Sequence, residues 1–216
     1  MMQRLNHPHI VKLIGVHQDQ ISKEVVIAMD YVAAGSLSRQ LKLQKTFSLP
    51  KAWWVMNQMA SAFTYLHKKN IVHRDIKFGN VLCDDQWLVK VIDFGLARIC
   101  KPHEKLNTHC GTFAYLAPEI FNKEIYEGPP ADVWALGILS TQLFVGHKSD
   151  GRDLFQVDFS NKSVLRPPPG VDKELTSLLT GMLRENPKKR LTMKVMKISK
   201  HPWLKQEISR FTNLSA

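Results

Sequence analysis

Apolar residues recur along the chain at two different spacings, and the change from one to the other divides it. Over Ile10–Val16 and Val25–Tyr31 they crowd into β-rich runs either side of a polar turn, His17–Lys23, which predicts two short strands. Gly35-Ser36 then opens a short amphipathic helix over Leu37–Leu43. From Pro50 to Lys68, Trp53, Met56, Ala60, Phe63 and Leu66 recur every three or four residues, the period of a helix with one buried face. Pro50 falls in its first turn, where a missing N–H does no harm. Short strands and loops fit Ile71–Ile92, and the polar stretch Cys100–Thr112 predicts a loop. Asp132–Val145 is apolar almost throughout and predicts a buried helix. It is too short for a bilayer and is broken by Gly137, Ser140, Thr141 and Gln142. Pro167-Pro168-Pro169-Gly170 is a break, after which helices are predicted over Asp172–Arg184 and Thr192–Ser199, before His201-Pro202-Trp203. A little β followed by mainly α gives an α+β fold class.

Composition changes this picture little. With 44% hydrophobic and 23% charged residues, the 216-residue chain reads as an ordinary globular protein. Its formal charge of +11 comes from scattered Lys and Arg, with modest clusters at Lys68-Lys69 and Lys188-Lys189-Arg190. No aromatic-interleaved basic stripe is visible, so no nucleic-acid partner is expected, and the basic surface suits phosphate-bearing ligands. The first ten residues contain no apolar signal core, and the three cysteines, Cys83, Cys100 and Cys110, are widely spaced. These features predict free thiols in a reducing compartment and an intracellular, cytoplasmic location. His103, His109 and Cys110 lack the paired spacing of a zinc site.

The densest chemistry lies in His73-Arg74-Asp75-Ile76-Lys77-Phe78-Gly79-Asn80. Phosphoryl transfer needs an oriented hydroxyl, a cation near the transferring group and hard oxygens for a metal ion. Asp75 can accept or orient a hydroxyl proton, Lys77 can reach a phosphate, and Asn80 offers an oxygen to a metal. Eighteen residues after Asp75, Asp93-Phe94-Gly95 places a carboxylate at the end of the apolar run Leu88–Ile92, followed by a flexible glycine. Each residue has a plainer reading by itself. Leu82, Met29, Phe94 and Trp134 suit any core, Asp132 suits a helix N-cap, and Glu119 and Arg190 suit unrelated surface charges.

The ordered set H-R-D-x-K-x-x-N, D-F-G and Ala117-Pro118-Glu119 resembles the eukaryotic protein Ser/Thr kinases, over about Asn6 to Trp203. The resemblance implies a protein-kinase-like fold, with a reduced N-lobe and hinge at 1–32, a mainly helical C-lobe at 33–205 and a tail at 206–216. It implies ATP and Mg²⁺ as cofactors, with Asn80 and Asp93 as metal ligands and Asp75, Lys77, Asn80 and Thr112 as catalytic residues. Met29, Asp30, Tyr31 and Val32 resemble the gatekeeper and hinge of the nucleotide site. Leu82 resembles the floor under the adenine, and Ser36 and Asp93 complete the nucleotide-binding set. Asp132 resembles the anchor of the catalytic loop, and Glu119 with Arg190 resembles the ion pair that fixes the activation segment. His73 and Phe94 would stack, with Leu13 and Met2 above them.

Lys77 and Thr112 follow the Ser/Thr pattern, which implies protein substrates bearing Ser or Thr. Thr108-His109-Cys110-Gly111-Thr112 and the His201-Pro202-Trp203 ending resemble the calcium/calmodulin-dependent kinase group. Thr108 is a candidate phosphosite for an upstream activating kinase, with Arg74 and Arg98 as partners for the phosphate; the alternative is a solvated loop threonine.

Two expected parts are not found. No G-x-G-x-x-G and no V-A-I-K lysine occur in these residues, and Lys12 and Lys23 are the only lysines before the hinge. This pattern predicts an N-terminally truncated kinase domain with impaired activity. A non-catalytic kinase-like binding module and a gene fragment stay open as alternatives.

Overall fold

The computed structural model describes residues 2–145, 173–193 and 200–205. Residues 167–170, 194–199 and 206–216 lie outside these, and with them the proline break, most of the helix expected over Thr192–Ser199, and the tail. The described part mixes strands and helices, as an α+β chain should. Its order is β1 (Leu13–Gln18), β2 (Val25–Met29), β3 (Gly35–Ser36), α1 (Leu37–Gln44) and α2 (Leu49–Lys68). There follow β4 (Ile71–Val72), β5 (Val81–Cys83), β6 (Val89–Val91), β7 (Arg98–Ile99) and β8 (Lys105–Leu106). The last elements are α3 (Pro118–Phe121), β9 (Tyr126–Glu127), α4 (Gly128–Val145) and α5 (Lys173–Met182).

α2 buries Trp53, Met56, Ala60, Phe63 and Leu66, the predicted stripe, together with Ala52, Val55, Met59 and Ala62. α4 is hydrophobic on every side, and Val133, Trp134, Leu136, Ile138, Leu139 and Leu143 are all buried. A helix with no polar face is stable only inside the protein, and α4 packs against both α2 and α5. It starts four residues earlier than its apolar run, at Gly128, because Pro129 and Pro130 fit a first turn that needs no donors. Asp132 is therefore inside the helix and is not its N-cap. Among the described residues, no helix is long and apolar enough to cross a membrane.

The strands depart from the sequence pattern in two places. Ile10 and Val11 do not begin β1. They are buried against β6, where the Val11 N–H donates to the Val91 carbonyl at 3.0 Å and the Val91 N–H donates to that of His9 at 3.0 Å. The antiparallel β1–β2 ribbon that follows is largely open to solvent, with Val25, Val26 and Ile27 each more than half exposed. The stretch Cys100–Thr112 is also not a plain loop. β7 just before it pairs with β4, and β8 within it pairs with β9. Two-residue strands are too short to show a period of two, so pattern reading misses them. The three-stranded sheet β3–β5–β6 borders the site, since β5 follows directly on Asn80 and β6 ends two residues before Asp93.

Candidate active site

The loop from His73 to Asn80 joins β4 to β5, and its shape is set by one buried carboxylate. Asp132 Oδ2 accepts the His73 N–H and Oδ1 accepts the Arg74 N–H, both at 2.9 Å. Arg74 takes a positive φ of 66°, a conformation an L-residue adopts only when its surroundings hold it there. The His73 ring is fully buried and edge-on to Phe94, with centroids 5.0 Å apart. Its Nδ1 accepts the Asp75 N–H at 3.3 Å and its Nε2 lies 3.0 Å from the Ile92 carbonyl, an arrangement that suits a neutral ring donating from Nε2. Burial pushes the His73 pKa down, which keeps it neutral, although Asp132, Ile92, Asp75 and Asp93 pull the other way.

These constraints deliver Asp75 into a cluster. Lys77 Nζ donates to Asp75 Oδ2 at 2.7 Å and to Thr112 Oγ1 at 2.9 Å. Thr112 Oγ1 in turn donates to Asp75 Oδ1 at 2.7 Å. Asn80 Nδ2 donates to the Asp75 carbonyl at 2.9 Å and to Oδ2 at 3.0 Å. Burial raises the Asp75 pKa, but hydrogen bonds from Lys77, Thr112 and Asn80 and the Lys77 charge outweigh it, and the carboxyl sits below its ordinary range. Four predicted catalytic residues thus meet, one of them from a segment 37 positions away.

Asp93 is exposed and also has a positive φ, 61°. Its Oδ1 accepts the Gly95 N–H at 3.2 Å. It is tied to the cluster through the preceding residue, since the Ile92 N–H donates to the Asn80 carbonyl at 2.9 Å. The donor set suits Mg²⁺: the Asn80 amide nitrogen is committed to Asp75, so its side-chain oxygen is the atom left for a cation, and Asp93 adds a hard carboxylate.

The nucleotide-side residues are brought together only in part. Leu82 and Ser36 are direct cross-strand partners in the β3–β5 ladder. The Ser36 hydroxyl, however, accepts the Arg39 N–H at 3.3 Å and caps α1. Met29 ends β2. The Asp30 N–H donates to the Lys12 carbonyl at 3.1 Å, Val32 is half-buried, and Tyr31 is 90% exposed.

Around the activation segment, Glu119 and Arg190 form a buried two-pronged pair at 2.7 and 2.9 Å, although 71 positions separate them. Arg98 is engaged by Glu104 at 2.8 Å. Arg74 Nε donates to the Leu96 carbonyl at 2.7 Å, and its NH1 is buried with no partner among the described residues. Thr108 is exposed, and its carbonyl accepts the Tyr126 hydroxyl at 2.9 Å.

Sequence reasoning missed Tyr115, whose hydroxyl donates to Gln142 at 2.8 Å and lies 3.4 Å from the Phe78 N–H. It also missed His67, 2.9 Å from Asp132. His67 stands four residues after Phe63 on the buried side of α2, and a polar residue on an apolar stripe is the signal that could have found it.

The protein kinase domain family matches residues 1–204. An Aurora kinase of Eremothecium gossypii is 35% identical over 204 residues, covering 94% of this chain and 54% of that protein. The human NUAK family SNF1-like kinase 1 is 34% identical over 212 residues, covering 94% and 30%. A probable serine/threonine-protein kinase MARK-C of Dictyostelium discoideum is 34% identical over 207 residues, covering 94% and 26%. The chain thus spans about half the length, or less, of these curated relatives.

Proposed function

The chain belongs to the protein kinase domain family, and from that premise we propose that it transfers the γ-phosphate of ATP to serine or threonine hydroxyls of proteins. The supporting observation is the Asp75–Lys77–Thr112–Asn80 cluster. Asp75, held ionised at neutral pH by its hydrogen bonds, accepts a hydrogen bond from the substrate hydroxyl and aims its oxygen at phosphorus. The Lys77 ammonium, fixed between Asp75 and Thr112, stabilises charge on the transferring group. Thr112 links this pair to the activation segment, so the position of that segment governs the site. Asn80 and Asp93 would hold Mg²⁺, which supplies neutralisation of the phosphates. Met29, Asp30, Val32 and Leu82 border the adenine, and Ser36 lies beside Leu82.

The calcium/calmodulin-dependent group is compatible with the NUAK and MARK relatives. Phosphate on Thr108, added by an upstream kinase, would add negative charge on the segment whose Tyr126 contact lies beside Arg74. These 216 residues hold no G-x-G-x-x-G and no V-A-I-K lysine. We infer that a polypeptide limited to these residues would transfer phosphate slowly, because one missing electrostatic group lowers a rate by about 10²- to 10³-fold. The alternative reading is a binding module that keeps the substrate-side surface without turnover.

Transfer of labelled γ-phosphate to a protein Ser/Thr substrate tests the first reading, with Asp75→Asn as control. Thermal shift with Mg²⁺-ATP tests nucleotide binding, since ligand at tenfold excess over Kd adds about 1.4 kcal/mol. A shift with no transfer supports the module. No shift at millimolar nucleotide refutes a working kinase in this polypeptide.

A further inference from the structure

The α1 side of the candidate active site carries almost no negative charge. From Tyr31 to Arg74 the chain has seven Lys or Arg residues and no Asp or Glu. This stretch includes β3 and α1, and both pack against Phe78–Asn80 at the end of the catalytic loop. Within β3, α1 and the loop from His73 to Asn80, Asp75 is the one carboxylate, and Lys77, Thr112 and Asn80 already bond it. Arg39 stands exposed in the first turn of α1. Its side chain folds back over β3, where a Cβ at Gly35 would lie 3.2 Å from its Cδ and 3.6 Å from its Nη1. Among the described residues Arg39 has no ion-pair partner, and neither has Lys42, three residues further along the helix. A cation in the first turn opposes the helix dipole, so Arg39 does not stabilise α1 from there. An exposed guanidinium at this place, with no protein anion beside it, is open to an anion on a ligand. Its planar fork matches a carboxylate or a phosphate with two bonds.

We propose that Arg39 is a specificity-determining residue that selects peptide substrates bearing a carboxylate or phosphate side chain close to the acceptor Ser or Thr. Asp, Glu or phosphoserine beside the acceptor pairs with the Arg39 guanidinium, and Lys42 adds attraction of the same sign. A Lys or Arg in that place meets like charge and finds no carboxylate to answer it, so the same feature that retains acidic sequences rejects basic ones. This inference rests on the proposed phosphoryl transfer for the ligand being a peptide, and it adds which peptides are taken.

Fluorescent peptides with Ala in place of the acceptor Ser test this by anisotropy on the full chain, at physiological salt, where weak surface attraction is screened. One Asp, phosphoserine or Arg is walked through the four positions on each side of the Ala. Asp or phosphoserine at a favoured position should bind about tenfold more tightly than Arg there. Preference for phosphoserine over Asp identifies an already phosphorylated substrate, and equal binding of the two identifies an acidic one; both support the proposal. Arg39→Ala should abolish the difference and Arg39→Glu should reverse it. Lys68→Ala with Lys69→Ala, at the end of α2 away from α1, should leave it intact. Equal binding of acidic and basic peptides, or no binding of acidic ones at millimolar concentration, refutes the proposal. So does an acidic preference that is the same at every position, which reports only the formal charge of +11. Mg²⁺-ATP should shift the melting temperature of Arg39→Ala and of the wild type alike; a shift lost in the variant assigns Arg39 to the nucleotide and overturns the idea. Absence of phosphate transfer alongside Arg39-dependent binding removes the kinase reading and leaves this one standing. Transfer to Arg-flanked but not to Asp-flanked serine removes this one alone.

Discussion

Arg190 offers the sharpest energetic test, because all five of its side-chain donors are used. Two go to Glu119, at 2.7 and 2.9 Å. The other three go to backbone carbonyls of Arg184, Pro130 and Glu185 at 2.9, 2.8 and 3.0 Å. The Arg190 and Glu119 side chains are 0% and 4% exposed. Glu119→Gln removes the charge opposite Arg190 but leaves the three carbonyl bonds, and breaking a buried pair in this way costs about 3–5 kcal/mol. Arg190→Met strands the Glu119 carboxylate at a similar cost and also deprives three carbonyls of their donor, each worth about 1 kcal/mol, for a total of about 6–8 kcal/mol. Glu119→Leu with Arg190→Met leaves no buried charge, so only about 3 kcal/mol for the carbonyls remains. The expected order of stability is wild type, then the double variant and Glu119→Gln close together, then Arg190→Met. Urea titration followed by tryptophan fluorescence measures all four, with Trp134 5.1 Å from the guanidinium as a nearby reporter. If Arg190→Met and Glu119→Gln agree within about 1 kcal/mol, the carbonyl contribution is wrong. If the double variant is no more stable than Arg190→Met, the buried-charge reasoning is wrong.

Other expectations follow from the same structure. The pKa values of His7, His9, His73 and His201 are all lowered, with burial the largest cause for each. Between those lowered values and about 6.5 the unfolded chain binds more protons, so stability is complete above that pH and is lost as pH falls. A melting temperature that does not decline from pH 7 to pH 5 would contradict this. Burial, with Asp84 and Asp85 nearby, pushes the Cys83 thiol up to about 11. Cys83 should therefore resist iodoacetamide at pH 7.5 while the half-buried Cys110 labels first by mass spectrometry. Gly111 has φ +119°, and a Cβ there would lie 2.8 Å from the Arg74 carbonyl. Gly111→Ala should displace the activation segment from the catalytic loop and lower stability by about 1–3 kcal/mol in a denaturant titration, whereas a wild-type midpoint would mean that the loop yields freely. Thr112→Ala removes a donor to Asp75 and a rest for Lys77. It should slow phosphate transfer at least tenfold with little change in the KM for ATP, and a pure KM effect would place Thr112 outside the reaction centre.

The chemistry of the site was legible in the chain because it is local: Asp75, Lys77 and Asn80 share eight residues, and Asp93-Phe94-Gly95 is a contiguous unit. The long helices were legible because α2 and α4 each repeat their apolar signal over several turns. Contacts that join distant segments without a repeating pattern were not legible from the residues themselves. The β4–β7 and β8–β9 ladders involve two residues a side, and no periodicity can announce them. Glu119 and Arg190 look like surface charges until the fold places them together, and only family resemblance had paired them. His67 was marked only as a polar residue on the buried stripe of α2, and nothing in the chain itself pairs it with Asp132. The difference is physical. An amphipathic stripe needs many similar residues to bury one face, so it is written redundantly. A carboxylate that orders a strained turn needs one histidine at one height on one helix. Single-copy information of this kind leaves no periodicity behind, so the His67–Asp132 contact becomes visible only when the fold brings α2 and α4 together.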